Sequence, residues 1–264
     1  MTLTLLLQAL LAPVMAIILA AFVRTWFPVI LIVGFWAVNF WVKGTTIEAM
    51  DSIAMAFTVA AINCLLTDKV KALYRVPVSA VILMALSVWQ VKNFASDISI
   101  AAWAIQFVFL AVALLLPEWK LVQAQSDRKL LNRFDVAALF WMIPVGSIAF
   151  STPIAGSIVV GQMAGLVATM AFGSWFLVAF GKASVQQLTI LSAVPALFAA
   201  QMAWHYVEIP WTSLSVALIG WLPLLWPGLK KQAWWLQAIL VIVFFAALLA
   251  GQLYLEWPEE SFGY

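Results

Sequence analysis

Long apolar stretches, broken by short clusters of charge, proline and glycine, run the whole length of this 264-residue chain. A helix needs roughly 20 residues to cross the hydrocarbon core of a bilayer, and most of the stretches have about that length. The pattern predicts ten helices, over residues 2–23, 26–42, 48–66, 76–92, 98–116, 135–151, 154–181, 185–204, 211–226 and 233–255. Two of the turns are short: one holds Arg24, the other the uncharged run Ser151, Thr152, Pro153. The expected fold class is therefore all-α, a polytopic transmembrane helix bundle with residues 1–264 as a single integral membrane domain.

Composition agrees with the pattern. Hydrophobic residues make up 66% of the chain and charged residues 9%, against about half and about a quarter in a soluble domain. A soluble core or a separate extramembrane domain is excluded. The net charge of +2, from 13 basic and 11 acidic residues, provides no basic surface for nucleic acid. Cys64 is the single cysteine and His205 the single histidine, so the chain has no disulfide framework, zinc ligand set or CxxC pair.

Basic residues of short loops stay on the cytoplasmic side. The loops after the odd-numbered predicted helices carry Arg24, then Lys69, Lys71 and Arg75, then Lys120, Arg128, Lys129 and Arg133, then Lys182, then Lys230 and Lys231; the other loops carry only Lys43 and Lys92. This split of 11 against 2 predicts both termini on the periplasmic side of a cell inner membrane, with Glu256, Glu259 and Glu260 in an acidic outer tail. Residues 2–23 lack the basic segment that precedes the apolar core of a cleaved signal peptide, so they are read as a retained helix. Most of the 15 Trp residues fall near span ends, where amphipathic indoles prefer the headgroup level. Trp36, Trp141, Trp175 and Trp221 lie deeper, where an indole N–H needs a partner.

Sliding the chain against itself gives an offset of 131 to 133 residues that serves four predicted helix pairs. Pro13-Val14 matches Pro144-Val145, Gly34 and Ala37 match Gly165 and Ala168, Pro77 matches Pro210, and Ala102, Trp103 and Gln106 match Ala233, Trp234 and Gln237. The expectation is two pseudo-repeats, 1–132 and 133–264, of five helices each. An odd number makes the halves cross the membrane in opposite senses, the inverted repeat of many secondary transporters. Pro13 and Pro144 each fall about halfway along their predicted helices, so each is expected to remove a backbone hydrogen bond deep in the bilayer and break its helix near a central site.

No ionisable residue falls at mid-depth, where such groups are costly and usually functional. Glu48 and Asp51 lie three apart at an outer helix end, either favouring the helix N-terminus or forming an outer vestibule. The deeper polar residues are the amides Gln8, Asn39, Asn63, Gln106, Gln162, Gln201 and Gln237. An amide in hydrocarbon needs hydrogen-bond partners, which another helix or a ligand can supply. As a group, Asn39, Asn63, Gln106, Gln162, Gln201 and Gln237 are the candidate substrate-binding residues, and their chemistry suits a neutral or zwitterionic solute. Gly161 and Gly165, four apart, let another backbone approach closely, either inside the chain or in a homodimer.

An enzyme is not expected. The chain has no HExxH, no GxxxxGK loop and no GxSxG elbow. His205 and Glu208, three apart before Pro210, read as an interfacial turn rather than a metal site. No metal or other cofactor is expected, and the partners are membrane lipids and a small organic solute. The functional expectation is a small secondary transporter, a permease working by alternating access. The alternative is a non-catalytic integral scaffold or assembly subunit of a larger membrane complex.

Overall fold

The computed structural model describes residues 14, 18, 27–44, 46–67, 69–116, 136–179, 184–226 and 228–256. Among these residues the chain is helical and has no strand, with nine α-helices. They are α1 (Phe27–Lys43), α2 (Ser52–Leu66), α3 (Ala72–Gln90), α4 (Ile100–Leu115), α5 (Ile143–Ile154), α6 (Ile158–Ala179), α7 (Val185–Val207), α8 (Trp211–Leu218) and α9 (Trp234–Glu256). Each overlaps one of the ten predicted spans. The tenth, residues 2–23 with Gln8 and Pro13, lies outside the described residues apart from the helical Val14 and Ile18.

Among the described residues, six helical stretches are long and apolar enough to cross a membrane: Ala49–Leu66, Ala72–Gln90, Val136–Ile154, Ile158–Val178, Val185–Val207 and Trp234–Glu256. Pro28–Trp41, Ile100–Leu115 and Trp211–Leu225 are apolar but shorter. Two of the longer helices, α3 and α9, bury polar side chains while exposing many apolar ones. The buried residues of α9 are Gln237, Leu248 and Gln252, while Ile239, Ile242, Val243 and Leu255 are exposed. On α3, Arg75, Ser87 and Gln90 are buried, whereas Leu73, Val78, Val81 and Val88 are exposed. Polar side chains turned inward and apolar ones outward suit lipid as the surrounding solvent.

Helix α7 is the centre of the bundle and packs against α2, α4, α5 and α6. Its N-terminus is a capping box: Ser184 Oγ accepts from the Gln187 N–H at 3.2 Å, and Gln187 Oε1 accepts from the Ser184 N–H at 2.9 Å, which satisfies two otherwise orphan donors. Its most extensive partner is α2. Both present small buried side chains, Ala54, Ala56, Ala60 and Ala61 on one and Ser192, Ala193, Ala196, Ala199 and Ala203 on the other. Phe35 of α1 stacks on Phe57 of α2 with ring centroids 5.1 Å apart, which adds α1 to the same core.

Three boundaries differ from the sequence-based expectation. Helix α3 begins at Ala72, so Pro77 lies inside it rather than opening it, and Arg75 belongs to the helix rather than to the preceding loop. Helix α5 continues through Ser151, Thr152 and Pro153 to Ile154. It ends in a Schellman arrangement: the Ser157 N–H bonds to the Thr152 carbonyl at 2.9 Å and the Gly156 N–H to the Pro153 carbonyl at 3.4 Å, with Gly156 at φ +115°. The predicted span over 154–181 thereby starts four residues later, at Ile158 of α6. Pro144 stands in the first turn of α5, directly after a 3-10 stretch, Val136–Met142. Its missing N–H therefore coincides with a change of winding, where a helix start leaves donors unpaired in any case.

Helices α5 and α6 form the tightest antiparallel pair. A Cβ added at Gly161 would stand 2.5 Å from Pro153 Cγ and 2.7 Å from Cδ, whereas one at Gly165 would meet only Ala149 Cβ at 4.0 Å. Both glycines thus abut α5 of the same chain. Because a proline ring cannot rotate away, Gly161→Ala is expected to destabilise the protein by about 1–3 kcal/mol, while Gly165→Ala is close to neutral. Thermal unfolding of the two variants in detergent checks the contrast.

Candidate functional site

Three polar side chains meet where helices α3, α4 and α7 come together. Ser87 of α3, Gln106 of α4 and Gln201 of α7 form a closed knot. Gln106 Nε2 donates to Ser87 Oγ and to Gln201 Oε1, both at 2.6 Å. Ser87 Oγ donates to Gln201 Oε1 at 2.8 Å, and Gln201 Nε2 reaches the Ser87 carbonyl at 3.4 Å. Ser87 and Gln201 are buried and Gln106 is half-buried. One turn further along α3, Gln90 Nε2 donates to the Phe198 carbonyl at 3.1 Å, and the Tyr206 hydroxyl donates to the Gln90 carbonyl at 2.7 Å.

An aromatic cluster closes this end of α7. The Phe94 ring stacks on His205 with centroids 5.6 Å apart and meets Tyr206 edge-on at 5.4 Å. Trp204 lies 4.2 Å from His205 and 4.9 Å from Trp211. Gln90 Oε1 and His205 Nε2 have no hydrogen-bond partner among the described residues. His205 stands in the last turn of α7, packed between the Phe94 and Trp204 rings. Glu208, exposed at φ 60°, is the left-handed residue that ends α7.

Of the six amides singled out by sequence, only Gln106 and Gln201 touch each other. Asn39 Nδ2 donates to Asp51 Oδ1 at 2.6 Å, and Asp51 Oδ2 accepts the Glu48 N–H at 2.7 Å. Asp51 is fully buried and ties α1 to the start of α2, whereas Glu48 is exposed; the two acids therefore sit in different environments. Asn63 joins α2 to α3, with its Nδ2 donating to Ser79 Oγ at 2.5 Å and its Oδ1 accepting from the buried Arg75 guanidinium. Next to it in sequence, Cys64 Sγ lies 3.6 Å from the Gln187 carbonyl of α7. Gln237 is taken up by backbone: Oε1 accepts the Ala137 N–H at 3.1 Å, and Nε2 donates to the Leu229 and Gln232 carbonyls at 3.3 and 3.0 Å. It thereby holds the start of the Val136–Met142 stretch. Gln162, half-buried on α6, makes no hydrogen bond among the described residues.

The deeper indoles also divide. Trp36 Nε1 donates to Thr58 Oγ1 at 2.9 Å, and Trp221 Nε1 donates to the Trp141 carbonyl at 3.2 Å. Trp175 stacks on Phe172 at 5.6 Å. The Trp141–Trp221 contact joins two helices at the points where each changes to 3-10 winding, and a Cβ at Gly220 would stand 2.7 Å from Ile143 Cγ2.

Sequence reasoning missed Ser87, Gln90, Arg75, Ser213 and Gln252. Ser87 and Ser213 gave no signal, because a serine in an apolar run usually bonds back to its own helix. Gln90 and Gln252 were visible as amides but lie toward span ends. No group of three or more His, Cys, Asp or Glu that could hold a metal stands among the described residues.

The Ser87–Gln106–Gln201 knot can donate and accept hydrogen bonds without fixed charge. Gln201→Ala removes the acceptor shared by Ser87 and Gln106, and is expected to cost about 1–2 kcal/mol. Gln162→Ala, with no bond to lose, is expected to be near neutral; denaturant unfolding in mixed micelles compares them. Comparison with protein-family models, with curated proteins and with solved structures finds no match to this chain.

Proposed function

We propose that this chain is a small secondary carrier that moves a neutral or zwitterionic organic solute across the cell inner membrane by alternating access. In this reading it has ten membrane-spanning helices in two inverted repeats of five, with both termini periplasmic. The observation that carries it is a repetition of packing. Helix α1 packs on α2 as α6 packs on α7, and α3 packs on α4 as α8 packs on α9. Helices α2 and α7, equivalent under the same shift, pack on each other. The starts at Phe27, Ser52 and Ile100 precede Ile158, Val185 and Trp234 by 131, 133 and 134 residues, close to the offset in the sequence, while Ala72 precedes Trp211 by 139. With the segment before α1 as the counterpart of α5, each half holds five helices. Such halves exchange access by rocking about a shared centre near the midplane.

The Ser87–Gln106–Gln201 knot bridges the halves, since α3 and α4 belong to the first and α7 to the second. Its uncharged donors and acceptors are the groups a solute would compete for as the halves separate. Asn39, Asn63 and Gln237 serve helix contacts in this state, and Gln162 offers an unengaged amide.

Uptake of a panel of neutral and zwitterionic metabolites by proteoliposomes tests the reading. The expected result is saturable flux of at least one solute, lowered about tenfold or more by Gln106→Ala, the equivalent of losing about 1.4 kcal/mol. Absence of flux across the panel, with other chains co-purifying at fixed stoichiometry, overturns it in favour of an assembly subunit. Orientation has its own test, with a membrane-impermeant maleimide. Because Cys64 is buried, Glu48→Cys is expected to label from the periplasmic side and Lys69→Cys from the cytoplasmic side.

A further inference from the structure

The last turn of α9 brings a carboxyl group into the bundle. Glu256 Oε1 accepts the hydroxyl of Ser213 from α8, and Ser151 of α5 lies beside the same carboxyl. Four residues earlier, and so on the same face of α9, Gln252 is fully buried and donates through Nε2 to the Ser213 carbonyl at 3.4 Å. Two oxygens are left over. Glu256 Oε2 and Gln252 Oε1 are both shut off from solvent and have no hydrogen-bond partner among the described residues. Both are acceptors in the ionised form of the site, so neither can satisfy the other.

No described cation stands near enough by element to answer them. Helix α9 packs chiefly on α8, α5 and the 3-10 stretches Val136–Met142 and Ile219–Leu225, and none of these carries a titratable or charged residue. On α9 itself the only other titratable group is Tyr254, which is exposed. Helix α7, which meets α8, carries His205 and the exposed Glu208 follows it at this end. Protonation would turn Glu256 Oε2 from an acceptor into a donor, and Gln252 Oε1, one turn earlier on the same face of α9, is an acceptor without a partner among the described residues. A metal ion would need several ligands and room for itself, whereas these oxygens are closed over.

We propose that Glu256, Gln252 and Ser213 form a proton-binding site, in which the Glu256 carboxylate takes up one proton from the aqueous phase at the end of α9 and donates it from Oε2 to Gln252 Oε1. The bond formed is O–H on the carboxyl group, and release returns the proton to water with no other atom exchanged. The site stands on these contacts alone and does not depend on the carrier reading. If that reading holds, the site is where a proton would couple to transport.

The test is infrared difference spectroscopy of the full chain in lipid nanodiscs, titrated between about pH 4 and pH 9. The expected result is a protonated-carboxyl C=O band that is absent in Glu256→Gln and moves to higher frequency in Gln252→Leu, which keeps the acid but removes its acceptor. The Gln252→Leu arm and the titration of the unmodified chain still decide the matter if Glu256→Gln does not fold. A titration in which no carboxyl band depends on Glu256 overturns the proposal, as does a band left unmoved by Gln252→Leu. A carboxylate band that instead responds to sodium chloride at fixed pH also overturns it, by identifying the ligand as a metal cation.

Discussion

Polar groups inside an apolar medium must find their partners within the protein, because no water is there to supply them. That constraint organises this bundle around α7. Its small residues let α2 approach closely, and the polar groups of α3 and α4 reach it through Ser87, Gln90 and Gln106. Even the hydroxyls of Thr189 and Ser192 bond back to the carbonyls of α7 itself, at 2.9 and 2.8 Å, in the stretch leading to Pro195. The Ser87–Gln106–Gln201 knot follows from the same need, for each of its side chains is answered from a second helix.

The same logic accounts for the irregular winding at Pro144. A 3-10 stretch inside an apolar layer leaves backbone groups without their usual partners. Gln237 supplies an acceptor for the Ala137 N–H at the start of that stretch. At its other end the Trp141 carbonyl receives the Trp221 indole from a second 3-10 stretch. The two irregular segments thus meet and complete each other, with Gly220 close against Ile143. A discontinuity supported from both sides is a seam between helices α5 and α8, and both belong to the second half of the chain.

Much of the bundle was legible as pattern. Apolar length located nine helices to within a few residues, α5 and α8 only when taken together with their 3-10 stretches Val136–Met142 and Ile219–Leu225, since the thickness of hydrocarbon sets the length of an apolar run. The ends were less legible where proline misled. Pro77 and Pro153 were taken as boundaries, yet Arg75 anchors the turn before Pro77 to Asn63, and Thr152 and Gly156 close the helix beyond Pro153. In both places a tertiary or capping contact offsets a local penalty that sequence weighs alone. The amides were legible as residues needing partners, but not as pairs. Gln106 and Gln201 are 95 residues apart in the chain, and only the packing of α4 on α7 brings them together.

The sequence by itself determined that this protein is a bundle of apolar helices and that its few buried polar residues had to be satisfied internally. Hydropathy and length are local properties, and each run carries them whatever its neighbours do. Tertiary structure alone decided which polar groups answer each other: that Asp51 caps and ties two helices while Glu48 faces outward, that Gln237 serves backbone, and that Glu256 turns from an acidic tail into the bundle to meet Ser213. Hydrogen bonds reach only about 3 Å, so partnership depends on the crossing and rotation of helices far apart in the chain, which no local pattern encodes.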